Sequence, residues 1–180
     1  MADSSKATRE EKIADALRAA PAYIADSATV VDVDMTTVLR EGSPDWTCVP
    51  TAPGKPWPAP MCLDPPFLRW FRELAQGKTP AIDRIGISYM LMGEAGADFD
   101  HLEATQPPEG QDWYRAGPHV MFVFPEGTGH ILNGLAHDTT SGLPYVRPIP
   151  GAAPLLVVPV AKPGEKACGC PSECSCGCNG

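Results

Sequence analysis

The sequence predicts an α+β fold. It reads as one domain over residues 1–161, a mostly antiparallel sheet of four to six strands with two short helices. A linker and a flexible Cys-rich tail follow over residues 162–180. Three observations lead there. Strand-like and helix-like stretches do not alternate regularly, as a parallel βαβ architecture would require. Pro (21) and Gly (17) together make up about a fifth of the 180 residues, which favours many turns and short elements. The tail places five of the seven cysteines within residues 168–178, separated only by Gly, Pro, Ser and Glu. A segment without aliphatic or aromatic residues cannot bury itself, so these thiols are not core packing.

The elements follow in order. Thr8-Arg9-Glu10-Glu11 reads as a capping box, and Ile13, Leu17 and Ala20 fall at helical spacing before Pro21. This predicts a short amphipathic helix over 9–19. Residues 28–34, ATVVDVD, are β-branched and alternating and predict a strand, which Thr37 to Arg40 continue after a kink. A Pro-rich loop over 41–61 holds Trp46, Cys48 and Trp57. Asp64 is a good N-cap and Pro65 sits where a missing amide costs nothing. Phe67, Leu68, Phe71 and Leu74 then form one stripe up to Gly77, giving a helix over 65–76. Residues 84–92, RIGISYMLM, are apolar on both faces and predict a central strand. A polar loop over 93–117 carries Asp98, Asp100 and His101. A second central strand runs from His119 to Phe124, with a turn of helix near 127–133. Strands at Tyr145–Arg147 and Leu155–Ala161 complete the sheet before the linker at Lys162.

Composition narrows the function. Hydrophobic content of 43% with 20% charged residues is ordinary for a globular domain. The net charge of −8 argues against nucleic acid and anionic membrane surfaces, and suits cation binding. No apolar run is long enough to predict a membrane span. The N-terminal residues lack the basic and apolar regions of a secretory signal, so the chain as written reads as cytoplasmic. In a reducing cytosol, clustered cysteines read as metal or redox sites, and an odd count of seven resists a closed disulfide framework.

The sharpest chemistry is therefore the run Cys168, Cys170, Cys174, Cys176 and Cys178, written C-x-C-x3-C-x-C-x-C. Thiolates two residues apart chelate soft cations, so the tail is expected to hold Cu(I) or Zn rather than Mg or Ca. Five thiolates close one tetrahedral Zn site with one spare, or hold a few Cu(I) ions at low coordination number. Lys162 and Lys166 add positive charge that favours thiolate formation. The spacing differs from the paired C-x2-C knuckles of a zinc ribbon and resembles a metallothionein-type Cys cluster. The expected role is buffering, storage or transfer of metal, with metal ions and a metal-accepting protein as partners. A different reading takes residues 1–166 as the leader of a ribosomally made modified peptide, with a tail-modifying enzyme as partner.

Other candidates are weaker. Asp32-Val33-Asp34-Met35-Thr36 matches the D-x-D-x-T start of aspartate-nucleophile phosphatases, which would make Asp32 and Asp34 the centre of a metal-dependent hydrolase. No later acidic Mg2+ motif accompanies it. Asp98, Asp100 and His101, joined by His137 and Asp138, are conceivable hard-metal ligands, although short acidic loops are ordinarily solvated. His119 reads as a hydrogen-bonded structural histidine and His130 as a turn residue. Trp46, Trp57, Trp70 and Trp113 read as cover for the core, with the three in or next to loops placed to rim a pocket.

The strings TVVDVDMTTVLREGSPDWTCVP, PMCLD, IGISYMLMGEAGADFD and GPHVMFVFP together resemble a family of uncharacterised bacterial proteins. Its members share LR-x-G-x3-W-T-C-x-P, I-G-I-x-Y-M-L-x-G and G-x-H-x-M, and the likeness covers roughly residues 10–160. Where the family carries Tyr-Ala-His before the last strand, this chain has Gly151, Ala152 and Ala153. The Cys tail is an addition to the family pattern, and the family brings no assigned activity. Its members are usually exported, which implies a disulfide between Cys48 and Cys62. A reducing cytosol would instead leave two buried thiols.

Overall fold

The computed structural model describes residues 7–98, 104–137 and 141–160. Ten strands appear in chain order: β1 (Ala28–Val31), β2 (Val38–Arg40), β3 (Ser43–Val49), β4 (Met61–Leu63), β5 (Gly86–Met90), β6 (Glu94–Gly96), β7 (Tyr114–Ala116), β8 (His119–Val123), β9 (Tyr145–Arg147) and β10 (Leu155–Pro159). Eight of them form one sheet in the order β2-β1-β3-β4-β5-β8-β10-β9, antiparallel except for the β1–β3 pair. Strands β6 and β7 form a separate antiparallel pair. The domain is thus α+β, as the sequence predicts.

Period-two alternation assigns each face of the large sheet to its own cover. Val30, Cys48, Cys62 and Tyr89 turn to one side, where they pack with Ala16, Ala19 and Ile24. These come from helix α1 (Arg9–Leu17) with its C-terminal extension and from the short helix α2 (Ala22–Ala25). Val31, Val49, Leu63 and Met90, the next residue along each strand, turn to the other side. There they meet helix α3 (Pro65–Ala75), whose Phe67 and Trp70 are almost fully buried. The caps form as their residue types dictate. Glu11 N–H donates to Thr8 Oγ1 (3.2 Å) while Thr8 N–H donates to Glu11 Oε2 (2.7 Å). Asp64 accepts from Phe67 N–H at 2.8 Å with Pro65 at the first helical position.

The sheet has more strands than the four to six predicted, for local reasons. Residues 28–34 are not one strand. Asp34 accepts hydrogen bonds from the Thr36 and Thr37 amides (2.8 Å each) and the Thr37 hydroxyl (2.6 Å), reversing the chain. Val38–Arg40 therefore returns as β2, antiparallel to β1, instead of continuing it. The Pro-rich loop over 41–61 contains β3. Pro44 falls where the β1–β3 register shifts, so its missing N–H interrupts no regular ladder. Strands β2, β4, β6 and β7 have three residues each, too short for alternation to show. The predicted helix over 9–19 closes at Leu17, and Pro21 opens α2. The turn near 127–133 is a 3-10 helix over Gly129–Leu132.

Cys48 and Cys62 are register partners on β3 and β4, with Cα atoms 4.0 Å apart, and they are joined by a disulfide in the interior. They are not the free buried thiols expected in a reducing cytosol. Among the described residues, no helix is long and apolar enough to cross a membrane.

Helix α3 lies directly on β5 at Gly86, where an added Cβ would sit 2.5 Å from Phe67 N and 2.7 Å from Val123 Cγ2. Gly86→Ala is expected to lower stability by about 1–3 kcal/mol through overpacking. Urea denaturation checks this: the midpoint should fall with little change in slope.

Candidate functional site

The predicted site residues divide sharply. Cys168, Cys170, Cys174, Cys176 and Cys178 lie outside the described residues, as do Asp100, His101 and Asp138. Asp32 and Asp34 are engaged in shaping the β1–β2 turn. Asp32 pairs with Lys12 Nζ at 2.6 Å and accepts from Val33 N–H, while Asp34 holds the turn described above. Hydrogen bonds from Lys12 and from Thr37 respectively hold both carboxyls below the usual Asp range. His137 is exposed beside the bridge between Ala136 and Tyr145. His130 is exposed on the 3-10 turn, its Nδ1 3.1 Å from Gly127 O. Among the described residues, no three His, Cys, Asp or Glu side chains gather as metal ligands.

The described domain instead brings together polar groups that the sequence reading left in a loop or passed over. Strands β5 and β8 are antiparallel neighbours, and the β6–β7 pair is inserted in the connection between them. Glu94 opens β6 just after Gly93, whose positive φ (84°) turns the chain out of β5. Tyr114 folds across Gly96, its register partner, where any side chain would collide with the ring. Its hydroxyl then donates to Glu94 Oε1 at 2.8 Å. Arg147 arrives from β9 and donates to the same oxygen at 3.0 Å and to Asp98 O at 2.6 Å. Its guanidinium lies 5.3 Å from the Tyr114 ring centroid. The pair is deeply placed: the side chains of Arg147 and Glu94 are 3% and 15% exposed.

Charge follows geometry here. Burial pushes the Glu94 carboxyl up, but the Arg147 charge and the hydrogen bonds from Tyr114 and Arg147 hold the carboxyl below its ordinary value. Burial, then the Glu94 charge, pushes the Tyr114 phenol up. His119 starts β8 and is buried, with Nδ1 2.6 Å from Gly117 O, which fits the structural histidine expected. A carbonyl only accepts, so Nδ1 carries the proton and Nε2 presents a lone pair. Burial lowers the pKa of His119 despite the nearby Glu94, keeping the ring neutral near pH 7. His119 Nε2 and Ser88 Oγ are buried with no protein partner among the described residues.

Glu94 also lines a cavity of about 200 Å³ whose other charged wall residue is Lys55. The Lys55 ammonium donates to Ala95 O (2.7 Å) and lies 4.8 Å from the Trp113 ring centroid. The Trp57 indole N–H donates to Glu94 O at 3.1 Å. Trp57 and Trp113 thus frame the site, while Trp70 belongs to the core as expected. Comparison with protein-family models, curated proteins and solved structures finds no match to this chain. Its chemistry must be read from the residues themselves.

Both buried titratable groups make the fold acid-sensitive with the same sign. The pKa of His119 falls below 6.5 and that of Glu94 below 4.5 on folding, so the unfolded chain binds more protons as pH drops. Stability should be full above pH 6.5, decline below it through His119, and decline again below 4.5 through Glu94. Thermal melts across this range check the shape, and His119→Gln should flatten the first step alone. An NMR titration of the native protein that placed the His119 pKa above 6.5 would contradict it.

Proposed function

We propose that the chain binds soft metal ions, Cu(I) or Zn, through Cys168, Cys170, Cys174, Cys176 and Cys178. It would buffer, store or hand over the metal, with the folded domain as carrier and docking surface. The observation that carries this reading is the packing of five thiols into residues 168–178 with no apolar residue to bury them. The Cys48–Cys62 disulfide supports it, because it withdraws both domain cysteines and leaves the five tail thiols as a separate set. An odd set cannot pair off completely, whereas a d10 cation occupies four thiolates or bridges more.

The same disulfide favours an oxidising compartment, and with it the reading that the chain belongs to the usually exported bacterial family it resembles. Thiolates ligated to metal are protected there, since the lone pairs that start the oxidation ladder are engaged. Asp32 and Asp34 give the hydrolase reading no support, because each carboxylate is already committed to its local turn.

The test compares anaerobically purified full-length protein with a version ending at Lys166, by native mass spectrometry and elemental analysis. Metal should be bound by the full-length chain alone, with a stoichiometry that selects one Zn or a Cu(I) cluster. Equal metal in both versions contradicts the assignment. No metal in either after Cu(I) or Zn is supplied does so too, and leaves the modified-peptide precursor as the better reading.

A further inference from the structure

We infer that the cavity between the β1–β2 turn and the β6–β7 pair is a binding site for a small monocarboxylate with an apolar chain, its carboxylate seated on Lys55. The walls decide the apolar half of that ligand. Met35, Met61, Phe71 and Met90 line the chamber. Three thioether side chains make a surface that adapts to a flexible chain better than branched aliphatics would. Met35 underlines the point: it adopts φ 60°, a conformation that suits Gly or Asn, yet it presents a long apolar side chain to this wall. The volume of about 200 Å³ lies below that of drug-sized sites, so the ligand is short.

Lys55 decides the polar half. Its ammonium meets a backbone carbonyl and an indole face, both neutral. Among the described residues, no carboxylate forms an ion pair with it. Burial lowers its pKa, and the Glu94 charge offsets only part of that shift. The nearby carboxylate of Glu94 is taken up by Arg147 and Tyr114 through Oε1. A single negative charge on the ligand completes the Lys55 site. A dianion would place its second charge against Glu94 and the apolar wall, which disfavours phosphates. Val33 lines the chamber and is 39% exposed, so the chamber wall reaches the surface there.

Sodium hexanoate, sodium acetate and hexylamine, titrated into the full-length protein, separate the two halves of this reading. Calorimetry gives affinity and stoichiometry, and the Trp57 indole N–H resonance reports the site, because that group donates to Glu94 O. Hexanoate should bind once per chain with Kd at or below about 1 mM, acetate about tenfold or more weaker, and hexylamine without saturation. Lys55→Met should weaken hexanoate about tenfold or more, and Lys55→Arg should retain it within a few-fold. Val33→Trp, a plug at an exposed rim position, should also abolish binding. Equal binding of acid and amine, or equal loss in Lys55→Met and Lys55→Arg, would overturn the inference. So would hexanoate binding untouched by Lys55→Met, or no saturable binding up to about 10 mM.

Discussion

Arg147 cannot remain buried without an opposite charge, and the Glu94 carboxylate meets it at 3.0 Å. Much of the domain's second face depends on that match. Glu94 belongs to a three-residue strand that, among the described residues, pairs only with another three-residue strand, a unit too small to hold itself in place. The ion pair fixes where this small sheet docks, and Tyr114 closes around it by folding over Gly96. A buried pair of this kind adds little net stability, because desolvation offsets most of the attraction. A shifted docking would strand both charges.

That docking shapes the rest of the site. With Glu94 hydrogen-bonded to Arg147, the direct contacts of the Lys55 ammonium are a backbone carbonyl and an indole ring on the wall of an apolar chamber. The far face works by different means. There the interior is built on small residues of α1 and its extension, Ala16 and Ala19, which let the helix approach the Cys48–Cys62 bridge closely. The disulfide closes the loop that carries Lys55 and Trp57, so a covalent link on one face steadies a site on the other. It also partitions the chain's sulfur chemistry. Two cysteines are structural and enclosed, and five stand in a segment with nothing to bury.

Legibility in the sequence followed element length and cap chemistry. Helix α3 was clear because Asp64, Pro65 and the Phe67-to-Leu74 stripe all indicate one answer. Strands β5 and β8 were clear because each lies in a short run that is apolar on both faces, the pattern of a strand central in a sheet. The hairpin of β1 and β2 was missed because Asp34 acts through hydrogen bonds to residues two and three ahead, which resembles a strand's polar positions when read as a string. The site was hidden for a deeper reason. Glu94 and Arg147 are 53 positions apart, and only the β5-β8-β10-β9 order makes them neighbours. One local sign was present: Glu94 is a lone charge among Gly93, Ala95, Gly96 and Ala97, small residues that cannot solvate it. The tail's cysteine spacing, by contrast, is wholly local in the sequence, and those cysteines lie outside the described residues.

The central claim is that the seven cysteines form two independent sets. Metal-loaded protein, stripped with a chelator and alkylated anaerobically in denaturant without reductant, tests it by peptide mapping. The account predicts alkyl groups on Cys168, Cys170, Cys174, Cys176 and Cys178 and one cross-linked peptide joining Cys48 to Cys62. Alkylation at Cys48 or Cys62, or a disulfide between a tail cysteine and either of them, would contradict it.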